Sequence, residues 1–350
     1  MKIYFKENKN ISSVPRKFYA DWIKPVFPKN RQFIYGIEQQ DLQLSENPEG
    51  ADTLILPLTW NYYFEHRKLD DAIDILKQYD VFNKPIITWV SGDYTHKLPD
   101  GNFIVLQHNL FRSTRKNNEY AYPAIIRDPF DYLRLYGINI KSKNENSSIS
   151  FCGVANSTAI DKYENIFKEF LFKIKNMISK PYLDLSLPIS GMKLRGDLLK
   201  SFHQNSFLKT NIIIRKRSDS IHINKEKYKF QYWNNMLSAP FTLCVRGNGN
   251  FSVRFYEALA IGRIPVLFDT DCILPLDDQI DWKKHCIIVK NKDLIKAVKS
   301  IELSINAMDE NKIIDLQMAN RKLWIENLSF GGFYYSFNRL IKEKIQLESN

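Results

Sequence analysis

Residues 241–282 read FTLCVRGNGNFSVRFYEALAIGRIPVLFDTDCILPLDDQIDW, and this stretch decides the fold. It opens on a short apolar run, 241–245, of the kind that fills a buried parallel strand. Arg246, Gly247, Asn248, Gly249 and Asn250 follow as a loop of residues that tolerate positive φ. Ser252 is a suitable N-cap for a helix over 252–261, Gly262 ends that helix, and 264–268 returns as a second buried strand. Strand, glycine-rich turn, helix and strand make one winding of a parallel α/β sheet. Such a turn aims free backbone N–H groups and the positive end of the helix dipole at one point, which suits a diphosphate. Arg246 and Arg254 stand beside that point as cations for phosphate oxygens. Glu257, three residues after Arg254 on neighbouring helix surface, offers a carboxylate to both hydroxyls of a ribose. The rival reading is an ordinary glycine turn with a surface ion pair between Arg254 and Glu257, which contributes little.

Outward from this unit the same alternation recurs. In the first part, strands are expected at 2–5, 32–35, 53–58, 86–90 and 103–107, with a helix over 68–79. Three of these strands run into polar loops, at 59–61, 91–93 and 108–109, and ligands of open α/β sheets bind beyond such carboxyl ends. The polar run KSKNENSS, 141–148, has no apolar periodicity and reads as a linker. After it come a strand at 149–153, helices at 162–178 and 196–207, a strand at 211–215 and a helix at 229–237. Past the opening stretch lie a strand at 286–289 and helices at 292–305, 310–326 and 333–346. The expectation is an α/β chain of two Rossmann-like domains facing a central cleft. Residues 1–142 form the acceptor side, 149–330 the nucleotide side, and a helix within 331–350 packs back on the first domain.

Composition bounds the partners. The 350 residues are 44% hydrophobic and carry a formal charge of +11, which favours anionic partners such as nucleotides, nucleic acid or an acidic membrane face. The basic residues are scattered rather than gathered in one stripe, and no nucleic-acid-binding signature appears, so no nucleic acid is expected. Cys152, Cys244, Cys272 and Cys286 form no CxxC pair and read as reduced thiols, two of them inside buried strands. The N-terminus has too short an apolar stretch for a signal peptide, and no run reaches the ~18 apolar residues of a span. A cytoplasmic protein is expected, with room for association on the cytosolic face of a membrane.

Residues 232–289, above all LCVRGNGNFSVRFYEALAIGRIPVLFDTD (243–271) and LPLDDQIDW (274–282), resemble the exostosin-type glycosyltransferase family, GT47-like. That family shows an apolar-Cys-x-Arg-Gly loop, Ser-x-Arg-x-x-Glu-Ala-Leu, Gly-x-Ile-Pro-Val and an acidic Asp-Trp stretch. The resemblance implies a GT-B fold, inverting transfer from a nucleotide sugar (commonly a UDP-sugar) to a polysaccharide or glycoconjugate, and no cofactor or metal. A glycan or a lipid-linked glycan is then the acceptor. Arg263 departs from the pattern, since many relatives carry cysteine after the glycine. The first domain departs too far for its residues to be carried over.

The remaining candidates are weighed on the residues themselves. Asp269-Thr270-Asp271 has the spacing that holds a divalent cation in another class of glycosyltransferase; its plain reading is a solvated acidic turn or a wall of the donor pocket. Arg215-Lys216-Arg217 ends a strand, so a cation there reaches the cleft to neutralise a leaving diphosphate, or else forms a basic surface loop. Arg195 is a weaker candidate of the same kind. An inverting transfer needs a base from the first domain. Asp93 after 86–90 is best placed, with His96 and His108 behind it, each having a structural alternative. Trp60, Tyr62, Tyr63 and Phe64 stack on an acceptor sugar or pack in the core. The alternative function is a non-catalytic or nucleic-acid-binding basic α/β protein.

Overall fold

A computed structural model describes residues 1–7, 11–93, 95–142, 148–155, 174, 183–184, 191–215, 225–290 and 292–348. The expected helix at 162–178, the centre of the polar linker, and Lys216 and Arg217 lie outside these, apart from single residues.

Two parallel sheets carry the chain. The first takes β1 (Lys2–Tyr4), β2 (Gln43–Leu44), β3 (Thr53–Ile55), β4 (Ile86–Val90), β6 (Ile104–Gln107) and β7 (Glu119–Ala121) in the order β2-β1-β3-β4-β6-β7. The second takes β8 (Ile149–Val154), β10 (Thr210–Arg215), β11 (Phe241–Val245), β12 (Ile264–Phe268) and β13 (Ile287–Val289) in the order β10-β8-β11-β12-β13. Every ladder in both is parallel. Counted within each sheet, both begin 2-1-3-4-5, the flavodoxin-like winding, whose ligand crevice lies between the first and third strands. The expected pair of Rossmann-like units, a GT-B arrangement, is therefore what the chain adopts. A two-residue antiparallel pair, β5 (Thr95–His96) with β9 (Leu183–Asp184), joins the two halves.

β11 and β12 stand where the sequence predicts them, and all ten of their residues are buried. Val245 pairs with Phe268, so both strands end level and their following loops emerge together. The stretch 32–35 is a correction. It is a 3-10 helix, not a strand, because Asn30 Oδ1 accepts the Gln32 N–H at 3.1 Å and Gly36 closes the turn at φ 67°. Only Gln32 is buried there, while Phe33 is 94% exposed. The loop at 59–61 is the start of a helix, Trp60–Glu65. The helix expected from 196 begins at Gly191, where a Cβ would stand 2.2 Å from the Gly247 carbonyl oxygen. The helix expected over 310–326 is α-helical over Glu310–Leu323 and continues as a π turn, Trp324–Leu328.

The first core gathers Trp22, Trp60 and Trp89 with side chains of the last helix, Phe330–Glu348. Trp22 meets Trp89, Tyr334 and Phe337 edge-on at 5.6, 5.2 and 6.0 Å between ring centres. Each buried aromatic contributes about 1.5–3 kcal/mol, so this helix is a member of the first core. Trp60, Tyr62 and Tyr63 are buried too, which makes that aromatic cluster packing.

Arg263 explains its own departure from the family pattern. It is fully buried and donates to the carbonyls of Met236, Leu237, Gly262 and Asn139 and to Gln317 Oε1. Gln317 also brackets Lys141, accepting from its N–H and donating to its carbonyl, each at 2.9 Å. The chain leaving the first half is thus fastened to the second.

Candidate active site

Beyond the carboxyl ends of β8 and β11 lies a cleft of about 530 Å³. Its lining comes from the loop after β11 (Gly247, Asn248, Phe251, Ser252), the helix Val253–Ala260 (Arg254, Glu257) and the helix Gly191–Asn205 (Met192, Arg195). Val154, Tyr232 and, from the first half, Asp93 complete it.

The crevice between β8 and β11 is bridged by Arg195. Its guanidinium donates to the Val154 carbonyl at 3.3 Å and to the Val245 carbonyl at 3.1 Å, the last residues of those strands. Burial and the neighbouring Arg254 push its pKa down to about 10, so it stays a cation at neutral pH. Arg254 donates to the Cys152 carbonyl at 2.6 Å and lies over the rings of Phe151, at 4.4 Å, and Tyr232, at 5.7 Å. Gly153 makes this approach feasible, since a Cβ there would stand 2.6 Å from Arg254 Nη2. Among the described residues no carboxylate forms an ion pair with Arg195 or Arg254, and the two cations give the site a positive potential.

Glu257 accepts the Tyr232 hydroxyl on Oε2. Burial raises its pKa, against the opposing pulls of Tyr232 and Arg254. Sequence reasoning singled out Glu257 but not Tyr232. The tyrosine sits inside the stretch that carries the family resemblance, and only the fold shows that it meets Glu257.

Not every candidate reaches the cleft. Arg246 is buried, donates to the Asn248 carbonyl and to Asn250 Oδ1, and lies 5.8 Å from the Phe111 ring. It shapes the loop from within. Arg215 is buried against the helix Lys225–Leu237, donating to the Tyr228 carbonyl and Gln231 Oε1 with its guanidinium 3.3 Å over the Tyr228 ring. Ser252 stands at the N-cap position, yet its hydroxyl makes no capping bond; it lines the cleft instead.

The three candidate bases separate clearly. Asp93 lines the cleft across from the loop, and a Cβ on Gly249 would stand 3.0 Å from its Oδ1. Its main chain is held by Asn109, which donates to the Asp93 carbonyl at 2.7 Å. His96 faces a neighbouring cavity, its ring stacked 4.5 Å from Phe64. His108 donates its Nδ1–H to the Tyr122 carbonyl at 3.0 Å and stacks on Phe251, and burial lowers its pKa.

Asp269 and Asp271 are engaged by the first half. Arg112 reaches Asp269 at 3.2 Å and Asp271 at 3.6 Å, and Ser113 donates its N–H to Asp271 at 3.0 Å. Burial opposes ionisation of Asp271, but the Ser113 bonds and Arg112 outweigh it and hold the carboxyl below its ordinary value. Nearby, Asn109 Oδ1 accepts the Asn250 N–H at 2.6 Å and Asn250 Nδ2 donates to the Leu110 carbonyl at 3.2 Å. The two acids act as a clasp between halves. Among the described residues no group of three or more His, Cys, Asp or Glu is placed to hold a metal ion, and no helix is long and apolar enough to cross a membrane.

Residues 168–305 match the family model of the Exostosin GT47 domain, which bears out the resemblance read from 232–289. The chain is 32% identical to Exostosin-1 of Drosophila melanogaster over 128 residues, 35% of this chain and 16% of that protein. It is 38% identical over 65 residues, 19% of this chain and 16% of the other, to a protein of Oryza sativa subsp. japonica named as a probable glucuronosyltransferase. The match therefore spans 16% of the length of each of these relatives. A solved glycosyltransferase from Rickettsia africae aligns over 98% of this chain and 97% of its own at 10% identity, with a TM-score of 0.39. That likeness is loose, and the fold rests on the strand order above. The residues matched by the family model include the cleft-lining segment from Arg195 to Glu257.

Proposed function

We propose that this chain is an inverting glycosyltransferase that moves a sugar from a nucleotide sugar, a UDP-sugar being favoured, to a glycan or lipid-linked acceptor. The observation that carries the reading is the convergence of Arg195, Arg254 and Glu257 in one cleft with Asp93 on its opposite wall. The donor's diphosphate lies against Arg195, Arg254 and the N–H groups at the start of the helix Val253–Ala260. Glu257 accepts from the ribose hydroxyls.

Asp93 takes the proton of the acceptor hydroxyl as its oxygen attacks the anomeric carbon from the face opposite the nucleotide. The bond from that carbon to the diphosphate breaks, and the nucleotide leaves with the electron pair. The two arginines stabilise the charge developing on the leaving group, so this reading assigns no metal and no cofactor to the step. A charge of +11 supports a cytoplasmic protein working at an anionic surface on the cytosolic face of a membrane.

The test is a thermal-shift screen against UDP, GDP, CDP, CMP, TDP and ADP, with and without EDTA. A ligand that binds only the folded state raises its stability by mass action. Stabilisation by one nucleotide, unchanged by EDTA, is expected. Stabilisation by none of them, or only with a divalent ion present, overturns the proposal as stated.

A further inference from the structure

A base on one half of the chain serves a donor held by the other half only if the two walls stand at a fixed distance. Asp93 follows Gly92, which turns the chain at φ 89°, and two side-chain amides hold the main chain of this loop. Asn61 accepts the Ser91 N–H at 2.7 Å and donates to the Ser91 carbonyl at 2.8 Å, a contact within the first half. Asn109, two residues beyond β6, reaches across. It donates from Nδ2 to the Asp93 carbonyl at 2.7 Å and accepts the Asn250 N–H on Oδ1 at 2.6 Å. Asn250 is itself held, since its Oδ1 accepts the Thr270 hydroxyl at 2.7 Å and its Nδ2 donates to the Leu110 carbonyl at 3.2 Å. Two residues further on, Ser252 precedes the helix Val253–Ala260 that carries Arg254 and Glu257. Both asparagines are buried, Asn109 at 5% and Asn250 at 1% exposed.

We infer that Asn109 is a positioning residue for the transfer, setting the Asp93 carboxylate against the donor loop through the main chains of Asp93 and Asn250. The inference rests on the transferase reading with Asp93 as base. Asn109 is not part of the cleft wall, so it acts through its two partners rather than on substrate. The link needs a donor and an acceptor on one short side chain, which an amide supplies and a carboxylate does not. The walls also meet closely here, since a Cβ on Gly249 would stand 3.0 Å from Asp93 Oδ1. A shift of about 1 Å between reacting groups costs on the order of 10²-fold in rate, so loss of the link belongs in turnover and not in donor binding.

The experiment is a kinetic cycle on the full chain. It reads release of nucleoside diphosphate from UDP-glucose, UDP-N-acetylglucosamine, UDP-glucuronate and GDP-mannose with water as acceptor, and follows UDP and GDP affinity by calorimetry. Water attacks the anomeric carbon, Asp93 takes its proton, and the nucleoside diphosphate departs with the electrons of the broken bond, so hydrolysis uses the same base as transfer. Asn109→Ala removes both bonds. Asn109→Asp keeps the acceptor for the Asn250 N–H but sets an oxygen against the Asp93 carbonyl, and it keeps the test open should Asn109→Ala not fold. Each should lower kcat about 10- to 100-fold with donor KM and nucleotide affinity unchanged. In an Asp93→Asn background neither should slow release further, because no base is left to position. Wild-type turnover by Asn109→Asp would make Asn109 a mere clasp between halves. An equal proportional loss with and without Asp93 would make it a structural residue, and either result overturns the inference alone. Undiminished release by Asp93→Asn, or no release by the wild type from any of the four donors, overturns the transferase reading as stated.

Discussion

Replacing Glu257 by Gln separates ribose recognition from folding. In the wild type the half-buried carboxylate takes the Tyr232 hydroxyl on Oε2 and lines the cleft near Arg254. Glutamine keeps the length and an acceptor oxygen for Tyr232, but it replaces charge-assisted bonds to two ribose hydroxyls by neutral ones. A hydrogen bond to a charged group contributes about 1.5–3 kcal/mol and a neutral one about 0.5–1.5 kcal/mol. Two hydroxyls together then lose roughly 2–3 kcal/mol, about 30- to 150-fold in Kd. Stability should move differently. Because burial raises the Glu257 pKa, the ionised carboxylate burdens the fold above that raised value. The burden is relieved as pH falls through it toward the ordinary glutamate range. Glutamine carries no such burden, so the variant should be at least as stable as wild type at neutral pH, and the wild type should gain on it in mild acid. Calorimetric titration of the nucleotide and thermal unfolding, each at neutral and mildly acidic pH, read both effects. Protonation imitates the substitution, so wild-type affinity should decline toward acid while the variant's stays flat. An unchanged Kd with a lowered Tm would refute the reasoning and make Glu257 a structural residue.

Asp93→Asn should lower turnover by about 10²–10⁴ while leaving nucleotide affinity intact, the signature of a lost base, read by steady-state product formation. Arg195→Ala should weaken the nucleoside diphosphate and leave the free nucleoside's affinity unchanged, since the arginine meets only phosphate; paired titrations decide it. Gly191→Ala drives a Cβ to 2.2 Å from the Gly247 oxygen, so the melting temperature should fall by an amount matching roughly 1–3 kcal/mol and nucleotide binding should weaken with it. Arg263→Met leaves buried carbonyls without their donor and should cost more than about 3 kcal/mol in denaturant unfolding.

What the sequence made legible follows from which forces are local. β11, β12 and the helix between them are readable because a strand buried on both faces is a continuous apolar run, and a glycine marks the helix end. The run Phe33-Ile34-Tyr35 has the same local look and is a turn, because Asn30 and Gly36 set the backbone and no strand lies beside it. β5 and β9 are two residues each and pair across 87 positions or more, so no local pattern announces them. The donor-side residues behave alike. Arg254 and Glu257 were identifiable because a helix fixes their mutual placement. Arg246, next to Gly247, points into the loop, and a chain alone does not say on which side of a turn a side chain falls. Arg195 looked weak because its partners, the ends of β8 and β11, are 41 and 50 residues away.

The clasp of Arg112 and Ser113 on Asp269 and Asp271, with Asn109 and Leu110 bound to Asn250, bears on modularity. The Asn250 N–H and side-chain amide and the carboxylates of Asp269 and Asp271 are satisfied partly by residues more than 100 positions earlier. A recombination that exchanged the first half for that of a distant relative would leave Asn250 and the two aspartates facing foreign side chains. Segment 107–113 and loop 246–271 therefore have to be inherited as a unit, however freely the rest of the first half diverges.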